Sequence, residues 1–410
     1  MEDIDQFETL TLDLRPDVVK FWPKNDQYAV VGTYMLLEDE PSESEEPISQ
    51  TRVGSLNLVQ VGNDGMQIIQ TVSTPFGVYD LHFADQDNSI DERSDAFAVG
   101  TSTGSIAIYH LAPSIKGDLI FPHPHIHHIR TIQLYPKDIL ITSLALRSRG
   151  HIAMTLSNGQ VRATNVCIPG LDVPMATEIM QHDFQAWTCA FVRHHEGDHR
   201  HYGLVSGGDD ATLRYTAVNV SQWPELECRD AVEADDDVVE PSPTIPWVER
   251  KIHQAGVTAV LPLPPSSDTS ASTSTSDGFL LITGSYDDHI RLLHCPNIGR
   301  RQVLADEHLG GGVFRIKLVE RTTRVDPGSG ETEKSYLLIV SCMQAGARIV
   351  RLCGRDGQWR FVVEAKFERN HGTLLYASDC QHQLDSKGQR TIISTSFEDK
   401  KLFLWKAKTR

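Results

Sequence analysis

Leu280-Leu281-Ile282-Thr283-Gly284-Ser285-Tyr286-Asp287-Asp288-His289-Ile290-Arg291-Leu292-Leu293-His294 is the stretch whose reading decides the fold. An apolar run enters Thr-Gly-Ser, a tight polar turn follows, and alternation resumes at Ile290, Leu292 and His294. A continuous apolar run bounded by turn residues is a buried strand, and renewed period-two alternation is its hairpin partner. Similar phrases recur along the chain, so their period sets the architecture.

Strand-like runs recur at spacings of roughly 45–65 residues, the range of propeller blades with insertions. Grouped in fours from the hub outward, they give six complete units, from 17–73 to 313–367. A last unit with strands 374–379, 391–395 and 401–405 is one strand short. The segment 7–14, Phe7-Glu8-Thr9-Leu10-Thr11-Leu12-Asp13-Leu14, alternates at period two and has no local partner. As outer strand of the last blade it closes the ring and removes an open sheet edge. The expected fold is therefore all-β, a single seven-bladed β-propeller closed by its N-terminal strand; six or eight blades are the alternatives.

The turn residues identify the repeat. Asp399 precedes Trp405 by six residues, and His371 stands before that blade, as in a WD repeat. Asp210 and Asp287 occupy the same place, with Thr216 and Leu293 in place of the Trp. His182, His253 and His371 then have a purely structural reading, in which they lock the turn Asp.

Sorting the loops by face separates bulk from chemistry. Loops on the bottom face are long, and 219–245, 264–278 and 320–335 read as flexible. Those on the top face are short, except the acidic segment 37–52, so the top is the expected working surface. It gathers Tyr34, His182, Asp209, Tyr286, Asp288, His289, Gly311, Gly312, Cys342, His371 and Phe397. Histidines, carboxylates and a thiol at a channel mouth can bind a peptide tip or catalyse hydrolysis. Scaffolding plus a protein-interaction face is the competing reading.

Three other motifs carry less. Gly100-Thr101-Ser102-Thr103-Gly104 spells a hydrolase nucleophile elbow, but the elbow needs a strand entering a helix, and here strand leads to strand. His123, His125, His127 and His128 alternate with Pro122 and Pro124 in an expected extended bottom loop, without acid or thiol at metal-site spacing. Leu309-Gly310-Gly311-Gly312-Val313 has no following helix, so its glycines serve close backbone approach better than phosphate binding.

Composition limits the function classes. The 410-residue chain carries a formal charge of −17 and no basic stripe, which argues against direct nucleic-acid binding. Glu38, Asp39, Glu40, Glu43, Glu45 and Glu46 supply part of that charge, and residues 225–240 add eight acids against Arg229. Without these two segments about −4 remains, so the acid sits in loops. Seven cysteines without a CxxC pair, and an acidic start without an apolar core, lead us to expect a cytoplasmic protein with reduced thiols and no signal peptide. No apolar run approaches a membrane span, and a monomer is expected.

Six phrases in register go beyond a generic WD repeat. They are Gly32-Thr33-Tyr34, His182-Asp183-Phe184-Gln185-Ala186-Trp187, Ser206-Gly207-Gly208-Asp209-Asp210, Thr283 to His289, Gly311 to Lys317, and Cys342-Met343. In this order the chain resembles the WD-repeat family of diphthamide biosynthesis, the diphthine methyl ester hydrolases often labelled diphthine methyltransferases. The likeness spans most of the chain and is strongest over 182–346. It implies a methylesterase that acts on a modified histidine at a loop tip of translation elongation factor 2, releasing methanol, with no cofactor and no metal. A non-catalytic scaffold that docks elongation factor 2 is the alternative. The implied substrate carries a quaternary ammonium group, which suits carboxylates and aromatic faces: Asp209, Asp288, Tyr34, Tyr286 and Phe397.

No triad carries over from the family. Hydrolysis needs a nucleophile or activated water, a base near neutral pKa and donors for the oxyanion. The sequence offers His289 or His182 as base, oriented by Asp288 or Asp209, with water or Cys342 as nucleophile. Backbone N–H groups of Gly311 and Gly312 are the expected oxyanion donors, and Tyr34, Tyr286, His371 and Phe397 the expected substrate contacts.

Overall fold

The computed structural model describes residues 2–4, 6–37, 51–62, 65–84, 95–116, 119–147, 150–166, 176–193, 201–219, 245–264, 278–325, 332–355, 357–368 and 373–409. They form seven sheets, each built on four antiparallel strands, with the N-terminal segment completing the last. Blade one is Arg15–Phe21, Tyr28–Leu36, Arg52–Gly62 and Gly65–Thr74. Blade two is Val78–Phe83, Ala96–Thr101, Ser105–Lys116 and Leu119–Gln133. Blade three is Ile141–Leu146, His151–Leu156, Gln160–Asn165 and Thr177–Gln181. Blade four is Ala186–Arg193, His201–Gly208, Leu213–Asn219 and Trp247–Glu249. Blade five is Val257–Pro262, Phe279–Ser285, His289–Cys295 and Gln302–His308. Blade six is Arg315–Val325, Thr332–Ser341, Ala347–Arg355 and Gln358–Phe367.

Blade seven confirms the closure. Ser378–Cys380, Gln389–Ser396 and Lys401–Lys408 are completed by Gln6–Thr11, antiparallel to the last strand with Thr9 opposite Phe403. The closing strand is thus 6–11 rather than 7–14, because Leu12 turns the chain toward blade one, its N–H bonded to the Lys400 carbonyl at 2.8 Å. Glu8 Oε2 accepts the Met66 N–H at 2.6 Å and ties this strand to the outer edge of blade one. Glu2–Asp3 adds a short parallel strand to blade six, which alternation did not reveal.

Two expected loops are strand. The outer hairpin of blade two extends through 112–116 and 119–127, with His125 opposite Ala112 and His127 opposite His110. The loop 320–335 is a continued hairpin over 320–325 and 332–335. Cross-strand backbone bonds win here over polar composition, which alone reads as loop. The acidic segment 37–52 and loops 219–245 and 264–278 lie, apart from their end residues, outside the described residues.

The core is divided among the seven gaps between blades. One cluster joins Val18, Leu56 and Leu58 of blade one to Leu81 and Phe97 of blade two, and another joins Val19 and Val31 to Ile393 and Leu404 of blade seven. Ring closure therefore buries a seventh apolar face that an open chain would expose. The Gly-Ser and Gly-Gly phrases mark where blades approach most closely. A Cβ on Gly284 would stand 2.3 Å from Val313 Cγ1, and one on Gly207 2.5 Å from Val257 Cγ1. Each glycine lets the next inner strand lie against its blade. Among the described residues no helix is long and apolar enough to cross a membrane.

Candidate active site

The inner strands build the mouth through β-bulges. In five blades the register between the inner strand and its neighbour slips by one near the first residues. The extra residues are Asp17, Tyr79, Thr142, Trp187 and Thr258. A bulge leaves one residue unpaired and re-aims its side chain. Thr142 and Thr258 use this freedom to donate to the Ala186 and Val313 carbonyls of the next blade. Asp17, Tyr79 and Trp187 join the groups at the mouth.

Seven aromatic rings form a continuous arc there. Tyr79 stacks on Tyr34, centroids 4.7 Å apart, and Tyr34 meets Phe397 at 5.0 Å. Phe397 meets Tyr376 edge-on at 5.1 Å, and Tyr376 meets Phe314 at 4.7 Å. Phe314 lies 6.4 Å from Tyr286 and 6.0 Å from Trp187, and Trp187 stands perpendicular to Tyr286 at 6.4 Å. Every ring comes from the start of an inner strand, from just before it, or from the end of the second strand and the turn that follows, and strand direction puts all of these at one end of the ring. The Trp187 indole N–H donates to Asp209 Oδ1 at 2.6 Å, which sets a carboxylate beside the arc. Burial raises the Asp209 pKa, against the opposing Trp187 hydrogen bond. Burial also pushes the Tyr34 and Tyr286 phenols well above their usual range, helped by Asp17 and Asp209 respectively.

Beside the arc, Arg315 bridges blades that are not neighbours, so it meets its partners across the channel. Arg315 of blade six has Nη2 3.3 Å from Asp17 Oδ2 of blade one and donates to the Tyr79 carbonyl of blade two at 2.7 Å. Burial lifts the Asp17 carboxyl to about 7, with Arg315 pulling it down and Asp80 pushing it up. Asp80 goes the other way. Its burial is outweighed by His82 and Arg315, and it also accepts from Ser143 Oγ at 3.1 Å and Leu144 N at 2.9 Å. Deeper, Lys317 pairs with Asp379, whose other oxygen takes the Phe21 N–H at 2.7 Å.

Of the expected site residues, Tyr34, Tyr286 and Phe397 meet in the arc, and Asp209 stands at its edge. Gly312 backs the Tyr286 ring, and Gly311 packs on the Cys342 carbonyl. Others are placed elsewhere. His182 is 1 % exposed, with Nδ1 3.0 Å from Asp210 Oδ1 and Nε2 2.8 Å from Ser206 Oγ. Both ring nitrogens are engaged within blade four, so it locks the turn and does not face the mouth. Burial would raise the Asp210 carboxyl, but His182, Thr212 and the Asp183 N–H hold it below its usual range. His253 differs: it bonds Thr283 Oγ1 at 2.9 Å, while Asp287 takes Arg291, and burial pushes its pKa down to about 4.

His289 and Asp288 face outward. Asp288 adopts a left-handed φ of 68°, which ends the turn, so His289 opens the third strand and pairs with the fourth. Its Nδ1 lies 2.5 Å from Asp306 Oδ1, and Asp288 lies 3.7 Å from His308. Cys342 is fully buried in the core between blades five and six, and burial pushes its thiol up to about 12. A thiol so placed is neither accessible nor ionised. His371 lies outside the described residues. Gly100 and Gly104 flank a strand-to-strand turn, which rules out the elbow. Among the described residues no three ligand-type side chains are grouped to hold a metal.

Asp17, Tyr79 and Tyr376 do not stand out in the sequence, and Trp187, Phe314 and Arg315 appear there only within recurring phrases. Their signal is positional: each stands within the first residues of an inner strand or just before it, where the mouth begins.

No family model matches the chain. It is similar to the diphthine methyltransferase of Schizosaccharomyces pombe, 25% identical over 96% of this chain and 95% of that protein. The Saccharomyces cerevisiae protein of the same name is 23% identical over 99% of both chains. A Dictyostelium discoideum diphthine methyltransferase homolog is 23% identical over 97% of this chain and 98% of that one. Among solved structures, Chaetomium thermophilum Sqt1 bound to the N-terminus of ribosomal protein L10 covers 99% of this chain and 100% of its own, with TM-score 0.56 at 12% identity. The WD40 propeller domain of Doa1 covers 99% and 97%, with TM-score 0.52 at 12% identity. At that identity the structures speak to the fold alone. With seven blades, the chain is similar along nearly its whole length to the proteins named diphthine methyltransferase, which supports a role in diphthamide biosynthesis.

Proposed function

We propose that this protein is a methylesterase. It hydrolyses the methyl ester of methylated diphthine on translation elongation factor 2 in the cytoplasm and releases methanol. The observation that carries the reading is the aromatic arc with Asp209 at its edge. A modified histidine that bears a quaternary ammonium group presents a cation without N–H donors, which aromatic faces and nearby carboxylates hold without needing hydrogen bonds. A narrow mouth suits a side chain offered on a protruding loop. The Sqt1 propeller, bound to the N-terminus of a ribosomal protein, supports peptide engagement by this fold.

Purified protein incubated with methylated elongation factor 2, without any added methyl donor, is expected to remove the methyl mass and release stoichiometric methanol. Tight binding with no loss of methyl would reduce the protein to a docking scaffold. Dependence on an added donor would make it a transferase.

A further inference from the structure

We propose that Asp17 and Arg315, joined across the channel beside the aromatic arc, are the catalytic pair of this site, with Asp17 as general base and Arg315 as donor to the ester carbonyl oxygen. The proposal rests on the ester-hydrolase reading above.

Their bonding sets them apart from the other charges of the channel. Asp379 accepts from Phe21 N, Cys380 N and Lys317, and Asp80 accepts from Leu81 N, His82, Ser143 and Leu144 N. Carboxylates so saturated are structural anchors. Asp17 meets a single hydrogen-bonding partner among the described residues, Arg315 at 3.3 Å. Arg315 is likewise unfinished. Its Nη2 serves the Tyr79 carbonyl, but Nη1 is buried without a hydrogen-bond partner among the described residues and stands 3.9 Å from Asp80 Oδ1. A buried N–H left unsatisfied costs roughly 1–3 kcal/mol. Arg291, by contrast, sets its Nη1 on both oxygens of the Asp287 carboxylate.

Both residues also hold the right address. Asp17 is the bulged residue of its strand, and Arg315 follows Phe314 of the arc with its guanidinium 5.7 Å from that ring. A substrate side chain entering between the rings would bring its ester to this level. Burial keeps the Asp17 carboxyl close to neutral pKa, as a general base requires.

The step balances as follows. Asp17 takes a proton from water as the water oxygen bonds to the carbonyl carbon, and the carbonyl oxygen becomes an oxyanion held by Arg315. Collapse re-forms the carbonyl and breaks the bond to the methoxy oxygen, which takes the proton from Asp17 and leaves as methanol. The carboxylic acid product releases its own proton to solvent.

The test uses the full-length protein with methylated elongation factor 2, reading methanol release and substrate affinity separately, with a circular-dichroism melt for each variant. Asp17→Asn is expected to lower kcat roughly 100- to 10,000-fold, and Arg315→Lys roughly 100-fold or more, with affinity within about twofold of wild type. Folded Asp17→Asn protein at wild-type kcat overturns the pair while the esterase reading stands. If Asp17→Asn does not fold, Arg315→Lys decides: a folded variant at full kcat overturns the assignment, and one that binds but does not turn over supports it. Wild-type protein that releases no methanol sinks the esterase reading, and the pair with it.

Discussion

The indole N–H of Trp187 donates to Asp209 Oδ1 at 2.6 Å, fixing the ring that bridges Tyr286 and Phe314. The bond links the two ingredients of cation recognition, an aromatic face and a carboxylate. Removing the ring by Trp187→Ala takes away one wall of the arc, and a cation–π contact in a desolvated site is worth about 1–2 kcal/mol. KM for the methylated substrate should rise roughly tenfold with little change in kcat. Separate kcat and KM values check this. An unchanged KM would remove Trp187 from substrate recognition.

Cys342 gives the opposite expectation. Its sulfur is enclosed between blades five and six, 3.8 Å from the Val340 carbonyl, and burial raises its pKa. Cys342→Ala should release methanol at the wild-type rate and lose about 1 kcal/mol of stability through the small void. Loss of turnover in a variant that melts normally would return the thiol to the chemistry.

His182 and His289 separate scaffold from surface. His182→Ala deprives Asp210 and Ser206 of a buried partner and should cost roughly 2–3 kcal/mol, read as a shifted urea midpoint, while kcat of the folded fraction is preserved. His289→Ala breaks a half-exposed contact with Asp306 and should move neither stability nor kcat beyond about twofold. A selective collapse of kcat in either variant contradicts the placement.

These contrasts show what the sequence displays and what it hides. Blade boundaries and ring closure are local properties of alternation and turn residues, so the alternation of 7–14 already marks the closing strand that the fold forms over Gln6–Thr11. Tyr34, Tyr286 and Phe397 were equally legible, since each stands at the end of a strand that enters a top loop. Asp17, Tyr79 and Trp187 were not, because a bulge interrupts the alternation that tells in from out. His289 stands away from the arc for a related reason. The left-handed Asp288 ends the turn one residue early, and the next side chain already belongs to the outward strand pair. Arg315 and Asp17 lie 298 positions apart in sequence, and only closure of the ring brings them together.

The titration of Asp17 gives a last prediction with a definite sign. Burial lifts its pKa from 3.8 to about 7, so between those values the folded protein holds a proton that the unfolded chain has lost. Stability then falls as pH rises from about 4 to about 7, and the contribution is fully present only at the acid end. The shift corresponds to something on the order of 4 kcal/mol. Arg315, Asp80, Tyr34, Tyr79, Tyr286 and Tyr376 surround the group and are common to wild type and Asp17→Asn. Comparing the two proteins therefore isolates the one carboxyl. The difference in melting temperature should move in favour of wild type on going from pH 8 to pH 5. The same ionisation predicts that kcat rises with pH and levels off above about 7. A melting difference that stays flat, or moves toward Asp17→Asn on acidification, would show that Asp17 ionises at an ordinary pKa and is not held as a near-neutral base.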